Sequence, residues 1–294
     1  MSLSFCAARG NSGRGRNSPP QAEVRGDDLK RKPKLGQNFL VDPGACVAIA
    51  DALGDVSQAT VVEIGPGGGA ITEILSRRAR RLVAIELDRE LAPSLRAQFA
   101  GHASVEVIET DVLTVDLAAL RQDEARLAVV GNLPYYITSD FLLWLFHFHE
   151  AISRAVVMVQ REVADRVAAV PGTRDYGLLS ATTQLYARAE KVLTLPPEAF
   201  LPPPEVHSTV LRLTMRPRFA ELGIEAGAGP EFIGFLKAGF AQKRKTLAKN
   251  LRAAGFDTGR VAVAIEAAGI PAMARAEEIE LERMAGLWRG LRGR

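Results

Sequence analysis

The run Thr60-Val-Val-Glu-Ile-Gly-Pro-Gly-Gly-Gly-Ala-Ile-Thr-Glu-Ile-Leu75 constrains this chain more than any other. Its β-branched start predicts a short buried strand, its glycines a tight turn, and its apolar-periodic end a helix. In that arrangement a backbone turn can come close to a bound nucleotide, with the helix N-terminus behind it. Further strands are predicted at Leu82–Ile85, Val105–Asp111, around Val129, at Ala155–Gln160, at Lys191–Leu195 and at Ser208–Thr214, which closes the sheet. Helical patterns lie between several of them, so the fold class is α/β.

The strand ends carry the chemistry, as open α/β sheets place it. Gly65 ends the first strand. Glu86 ends the second, where a carboxylate can take both hydroxyls of a ribose. Asp111 ends the third and can accept from an adenine amino group, or simply cap the turn before Val112. These residues alone also suit a nicotinamide cofactor, because Gly65-Pro-Gly-Gly-Gly-Ala70 fits a loose dinucleotide fingerprint. After Val129-Val-Gly comes Asn132-Leu-Pro-Tyr135, a loop suited to a flat, conjugated exocyclic amine. Such an amine is a poor nucleophile, and acceptors for its two N–H groups help it. The side-chain oxygen of Asn132 is one acceptor. The carbonyl of Leu133 is a second, since Pro134 biases the residue before it toward an extended conformation. Tyr135 can lay its ring on the base.

Composition narrows the classes. The chain has 294 residues, 47% hydrophobic and 24% charged, an ordinary balance for a folded protein. No apolar run approaches the roughly 20 residues of a membrane-spanning helix. Cys6 and Cys46 are too few for a disulfide framework, which suggests a reducing cytoplasm. His147 and His149 have no Cys or His partner nearby, and no metal is expected. Residues 1–34 hold eight Lys or Arg against three acids, so the +3 net charge leaves the remaining residues slightly acidic. Any nucleic-acid surface on the folded body must therefore come from local clustering rather than bulk charge.

Residues 1–31 read as a disordered basic arm, with an upstream start, a faint transit-peptide character and phosphate contact as open roles. Leu35 to Leu40 suggests an ordered lid, and Asp42-Pro43 a helix start. The proline-rich run Pro196–Val206 must be a stiff loop. It offers Phe200 either as a second face for a stacked base or as a buried anchor. From Arg216-Pro217 the pattern turns helical, giving expected domains at 32–215 and 216–294. There Phe232, Leu236, Phe240, Leu247 and Leu251 fall near one helical face. Lys243, Arg244 and Lys245 lead a basic cluster that reads as a solvated face or a phosphate-contacting patch.

Taken in order, Leu35-Gly-Gln-Asn-Phe-Leu40, Glu63-Ile-Gly-Pro-Gly67, Ile85-Glu-Leu-Asp88, Thr110-Asp-Val-Leu113 and Asn132-Leu-Pro-Tyr135 resemble the ribosomal RNA adenine N6,N6-dimethyltransferases. Phe200-Leu-Pro-Pro-Pro-Glu-Val206 and Phe240-Ala-Gln-Lys-Arg-Lys-Thr-Leu247 resemble its small-subunit (KsgA) branch rather than the large-subunit branch that confers macrolide resistance. The resemblance covers about residues 32–290. It implies a Rossmann-like class I S-adenosylmethionine fold with a small all-helical C-terminal domain. It implies cofactor contacts from Asn38, Leu40, Gly65, Glu86, Asp111 and Asn132. It assigns the target amine to Asn132 and Leu133, base stacking to Tyr135 and Phe200, and RNA contacts to Lys243, Arg244 and Lys245. The implied reaction dimethylates N6 of two adjacent adenines in a 3'-terminal hairpin of 16S rRNA, by a monomer with no membrane partner and a role in small-subunit biogenesis. An assembly factor that binds RNA without turnover is a rival, as is a dehydrogenase. The usual Arg-Arg-Lys of the family is Lys243-Arg244-Lys245 here, which keeps the charge and loses a bidentate donor.

Overall fold

The computed structural model describes residues 37–122, 125–132 and 137–293. The basic arm, Leu133, Pro134 and Tyr135 lie outside the described residues. The chain begins with a two-residue strand β1 (Phe39–Leu40) and helix α1 (Pro43–Ala52). Asp42 caps α1 by accepting from the Ala45 amide at 3.0 Å, and Pro43 occupies the first turn, as the sequence predicts.

Strand and helix then alternate: β2 (Thr60–Ile64), α2 (Ala70–Leu75), β3 (Arg81–Glu86), α3 (Leu91–Gln98), β4 (Val105–Glu109), β5 (Leu127–Asn132), α4 (Thr138–His147) and β6 (Ile152–Gln160). Two helices follow, α5 (Arg161–Val167) and α6 (Leu178–Tyr186). After them come β7 (Ala187–Leu195), the short β8 (Phe200–Leu201) and β9 (Ser208–Met215). The main sheet has the order β4-β3-β2-β5-β6-β9-β7. Strands β2 to β6 are mutually parallel, and β9 runs antiparallel between β6 and β7. The last strand therefore inserts inside the sheet and leaves β7 on the edge. An antiparallel partner needs no crossover helix, so β9 can return from the proline-rich loop directly.

The strand order reverses between β2 and β5, where Ile64 pairs with Gly131. That is a topological switch point, and it leaves a crevice beyond the carboxyl ends of both strands. Every residue of β2 is buried, as central parallel strands covered on both faces require. Alternation sorts the side chains. Val61, Leu82, Ala128 and Val130 pack with Ile49 and Leu53 of the α1 side and with Ile71 and Leu75 of α2. Val62, Val83, Ile85 and Val129 face the other way, onto Phe141 and Leu145 of α4.

The second cluster continues without interruption through Val167, Tyr176 and Leu185 into α7 (Gly229–Gly239), α8 (Leu247–Ala253), α9 (Thr258–Ala267) and α10 (Leu281–Arg292). The apolar residues expected on one helical face are split: Phe232 and Leu236 lie on α7, Leu247 and Leu251 on α8, and Phe240 just past the end of α7. The chain leaves α7 after Gly239 and turns through residues 240–246, with the Lys245 amide donating to the Gln242 carbonyl at 3.0 Å. Thr246 then caps α8. Lys243, Arg244 and Lys245 thus sit exposed on a turn, because Asn250 of α8 ties down the end of α7 by donating to the carbonyls of Gly239 and Gln242.

Candidate active site

The crevice at the switch point is lined by segment 37–41, the glycine turn after β2, and the ends of β3, β4 and β5. Gly65 takes φ +64°, and a β-carbon there would meet the Asn132 carbonyl oxygen at 3.1 Å. Only glycine lets the ends of β2 and β5 come this close. Gly67, at φ +57°, accommodates the ring of Phe39, whose Cδ1 would lie 2.8 Å from an added β-carbon. The turn is consequently roofed by the segment predicted as a lid.

Glu86 is buried, yet its carboxylate lines the crevice. One oxygen accepts the Gly67 amide at 3.1 Å and the other the Asp88 amide at 2.9 Å. Burial raises its pKa, while these amides oppose the shift by favouring the charged form. Each oxygen keeps a second lone pair, so the carboxylate can still receive two hydroxyls. Asp111 takes the capping role the sequence allowed and keeps an acceptor over. Its Oδ1 caps the turn by accepting the Leu113 amide at 2.9 Å, and its second oxygen has no protein donor among the described residues.

Asn132 donates its side-chain amide to the Asn38 carbonyl at 3.0 Å. A backbone carbonyl only accepts, so the atom facing it must be the NH2 group. The amide oxygen is thereby left as an acceptor, the property the sequence reading requires. Asn38 and Leu40, Gly65, Glu86, Asp111 and Asn132 all line the same crevice.

Other expectations fall elsewhere. Phe200 does not present its ring to a base: it is 3% exposed and packs with Leu40, Leu195 and Ala199. The buried anchor prevails because β8 pairs with β1, matching Leu40 to Phe200 and Phe39 to Leu201. The basic turn at 243–245 is outside the crevice lining. His149 lies among the rings of Tyr186 and Phe219, a packing role. Among the described residues no group of His, Cys, Asp and Glu could hold a metal ion, and no helix is long and apolar enough to cross a membrane.

Sequence reasoning passed over Glu63. It is 2% exposed on β2 and lines the crevice floor, with one carboxylate oxygen and the nearby Thr72 hydroxyl lacking hydrogen-bond partners. Burial pushes its carboxyl up to about 7, with the neighbouring Thr72 hydroxyl and amide opposing the rise and Glu86 adding to it. The available signal was an acid inside an otherwise apolar strand that ends at a glycine turn.

The model of the ribosomal RNA adenine dimethylase family matches residues 28–288. A ribosomal RNA small subunit methyltransferase A of Acidobacterium capsulatum is 61% identical over 282 residues, 96% of this chain and 99% of that protein. The protein of the same description from Koribacter versatilis is 49% identical over 286 residues, covering 93% and 99%. Among solved structures, the 23S rRNA methyltransferase ErmE aligns with a TM-score of 0.66 at 29% identity, over 86% of this chain and 99% of that one. A dimethyladenosine transferase of Plasmodium falciparum aligns with a TM-score of 0.71 at 23% identity, over 85% and 95%, a likeness of fold. With a match across nearly the whole described fold and a crevice of nucleoside-sized chemistry at its switch point, this chain belongs to the ribosomal RNA adenine dimethylase family, enzymes of the S-adenosylmethionine-dependent class.

Proposed function

We propose that the chain dimethylates N6 of two adjacent adenines in a 3'-terminal hairpin of small-subunit rRNA, acting in the cytoplasm as a monomer during small-subunit biogenesis. The observation that carries this reading is the Asn132 amide, whose NH2 is committed to the Asn38 carbonyl and whose oxygen, with no donor among the described residues, can accept from a substrate amine. The 61% and 49% identical relatives, both described as small subunit methyltransferases, support the small subunit over the large.

The donor set fits S-adenosylmethionine. Gly65 lets the ends of β2 and β5 close on one another and Gly67 takes the Phe39 ring, which shapes the turn, while Glu86 offers two lone pairs to a ribose and the second oxygen of Asp111 suits an adenine amino group. Segment 37–41, with Asn38 and Leu40, walls the other side. Bound there, S-adenosylmethionine supplies an activated methyl group. Asn132, with the Leu133 carbonyl, holds the N6 amine and favours positive charge developing on it, while Pro134 sets the loop and Tyr135 stacks on the base. No general base, metal or covalent nucleophile enters this scheme. The exposed Lys243, Arg244 and Lys245, with the helical region 216–294, contact RNA phosphate in this reading.

Tritium transfer from labelled S-adenosylmethionine into small subunits lacking the modification tests the proposal, with Asn132→Ala as control. Two methyl groups per target adenine, abolished by the substitution, is the expected result. Label in large-subunit rRNA instead would move the chain to the other branch. Cofactor binding without any transfer would favour an assembly factor.

A further inference from the structure

The function above gives Phe200 no role, although its proline-rich loop was singled out from sequence and its ring is buried outside the crevice lining. We infer that Phe200 is a positioning residue: it anchors the β1–β8 ribbon, and the ribbon holds the Asn38 carbonyl that orients the Asn132 amide. This inference rests on Asn132 being the acceptor for the substrate amine.

The chain of contacts is short. Phe200 packs with Leu40 and Ala199 in the cluster that covers the α1 and α2 face of the sheet. β8 pairs with β1 through the register Leu40 to Phe200 and Phe39 to Leu201, and the Val41 amide donates to the Ala199 carbonyl at 2.9 Å. The ribbon thus fixes the lid strand along one edge, from Phe39 to Val41. One residue before it, the Asn38 carbonyl accepts from Asn132 at 3.0 Å, and the Phe39 ring lies against Gly67 through Cδ1 and Cε1. A two-stranded ribbon of two residues per strand has little stability of its own, so buried side chains must hold it in place. Phe200 is the largest of those on β8. Without the anchor the Asn38 carbonyl drifts, the Asn132 amide loses its orienting partner, and the amide oxygen is no longer aimed.

Direct base stacking and positioning make opposite demands on the side chain. Stacking needs an aromatic ring, whereas anchoring needs apolar volume. The test compares Phe200→Leu, Phe200→Ala and Val41→Pro, the last removing the amide donor to Ala199 at an exposed position while leaving Phe200 intact. Two readouts are taken on full-length protein: S-adenosylhomocysteine affinity without RNA, and kcat and KM for methyl transfer to undermethylated small subunits. Thermal unfolding establishes that each variant is folded.

Positioning predicts that Phe200→Leu stays within about threefold of wild type in kcat, because leucine fills much of the same apolar site. It predicts that Phe200→Ala and Val41→Pro each lose kcat, by up to about 100-fold, as expected for a small misplacement of an orienting group. Both should also bind S-adenosylhomocysteine more weakly, since segment 37–41 walls the cleft. Equal loss in Phe200→Leu and Phe200→Ala, with unchanged S-adenosylhomocysteine affinity and full activity in Val41→Pro, would overturn the inference in favour of stacking. Retained transfer in Asn132→Ala would instead overturn the underlying reading of the site, while the affinity measurements would still report on the ribbon.

Discussion

Replacing Glu63 by Gln should remove a pH dependence of stability that the fold builds in. Glu63 is 2% exposed beside Thr72, with one carboxylate oxygen unpartnered, and burial pushes its carboxyl from 4.5 up to about 7. The folded chain therefore binds this proton more tightly than the unfolded chain. The stabilisation is fully present below the unfolded value and is lost as pH rises through the folded one. A rise from 4.5 to about 7 corresponds to about 3 kcal/mol, at about 1.4 kcal/mol per tenfold change in proton affinity. Glutamine keeps the shape and carries no proton equilibrium. Urea unfolding of both proteins, from about pH 4.5 to about pH 8, should show the variant gaining about 3 kcal/mol on wild type as pH rises, mostly between about 5 and 7. A difference that stays flat to within about 0.5 kcal/mol would refute the reasoning, and would mean that Glu63 is hydrated or otherwise partnered in solution.

Gly65→Ala places a side chain at φ +64° and 3.1 Å from the Asn132 carbonyl oxygen. A left-handed alanine alone costs about 1–2 kcal/mol, so the unfolding midpoint should drop by about 2–8 °C, and a wild-type midpoint would sink this account. Glu86→Gln cannot accept both the Gly67 and Asp88 amides, since one oxygen becomes a donor. Orphaning a buried amide costs about 1–3 kcal/mol, and S-adenosylhomocysteine affinity by calorimetry should fall about tenfold or more. Replacing Lys243, Arg244 and Lys245 together by Ala should weaken binding to small-subunit RNA and flatten its salt dependence by about two to three ions released, which a titration at several salt concentrations reads directly. An unchanged slope would place the RNA elsewhere.

Several features were legible because their causes are local. Asp42-Pro43 starts a helix through one side-chain oxygen and one fixed φ, both written within four residues. The glycine turn after β2 follows from the backbone angles at Gly65 and Gly67. Glu86 at the end of β3 and Asp111 two residues past β4 could be placed on one sheet edge once the strands were found, because parallel strands present their carboxyl ends together. The resemblance carried by the motifs gave the family.

What the sequence by itself determined was thus the alternation of elements and the kind of chemistry at their ends. Tertiary structure decided which ends meet. The Asn132 amide is oriented by a carbonyl 94 residues away, and Glu86 is held by an amide 19 residues before it. Such pairings depend on sheet order, which no periodicity encodes. The same holds for Phe200, whose burial arises from a ribbon between strands at opposite ends of the α/β region, and for Lys243 to Lys245, moved from a helix face to a turn by Asn250. Glu63 shows the limit from the other direction: its type is plain in the sequence, but its proton affinity is set by the low-dielectric layer that forms around it only when β2 and α2 pack.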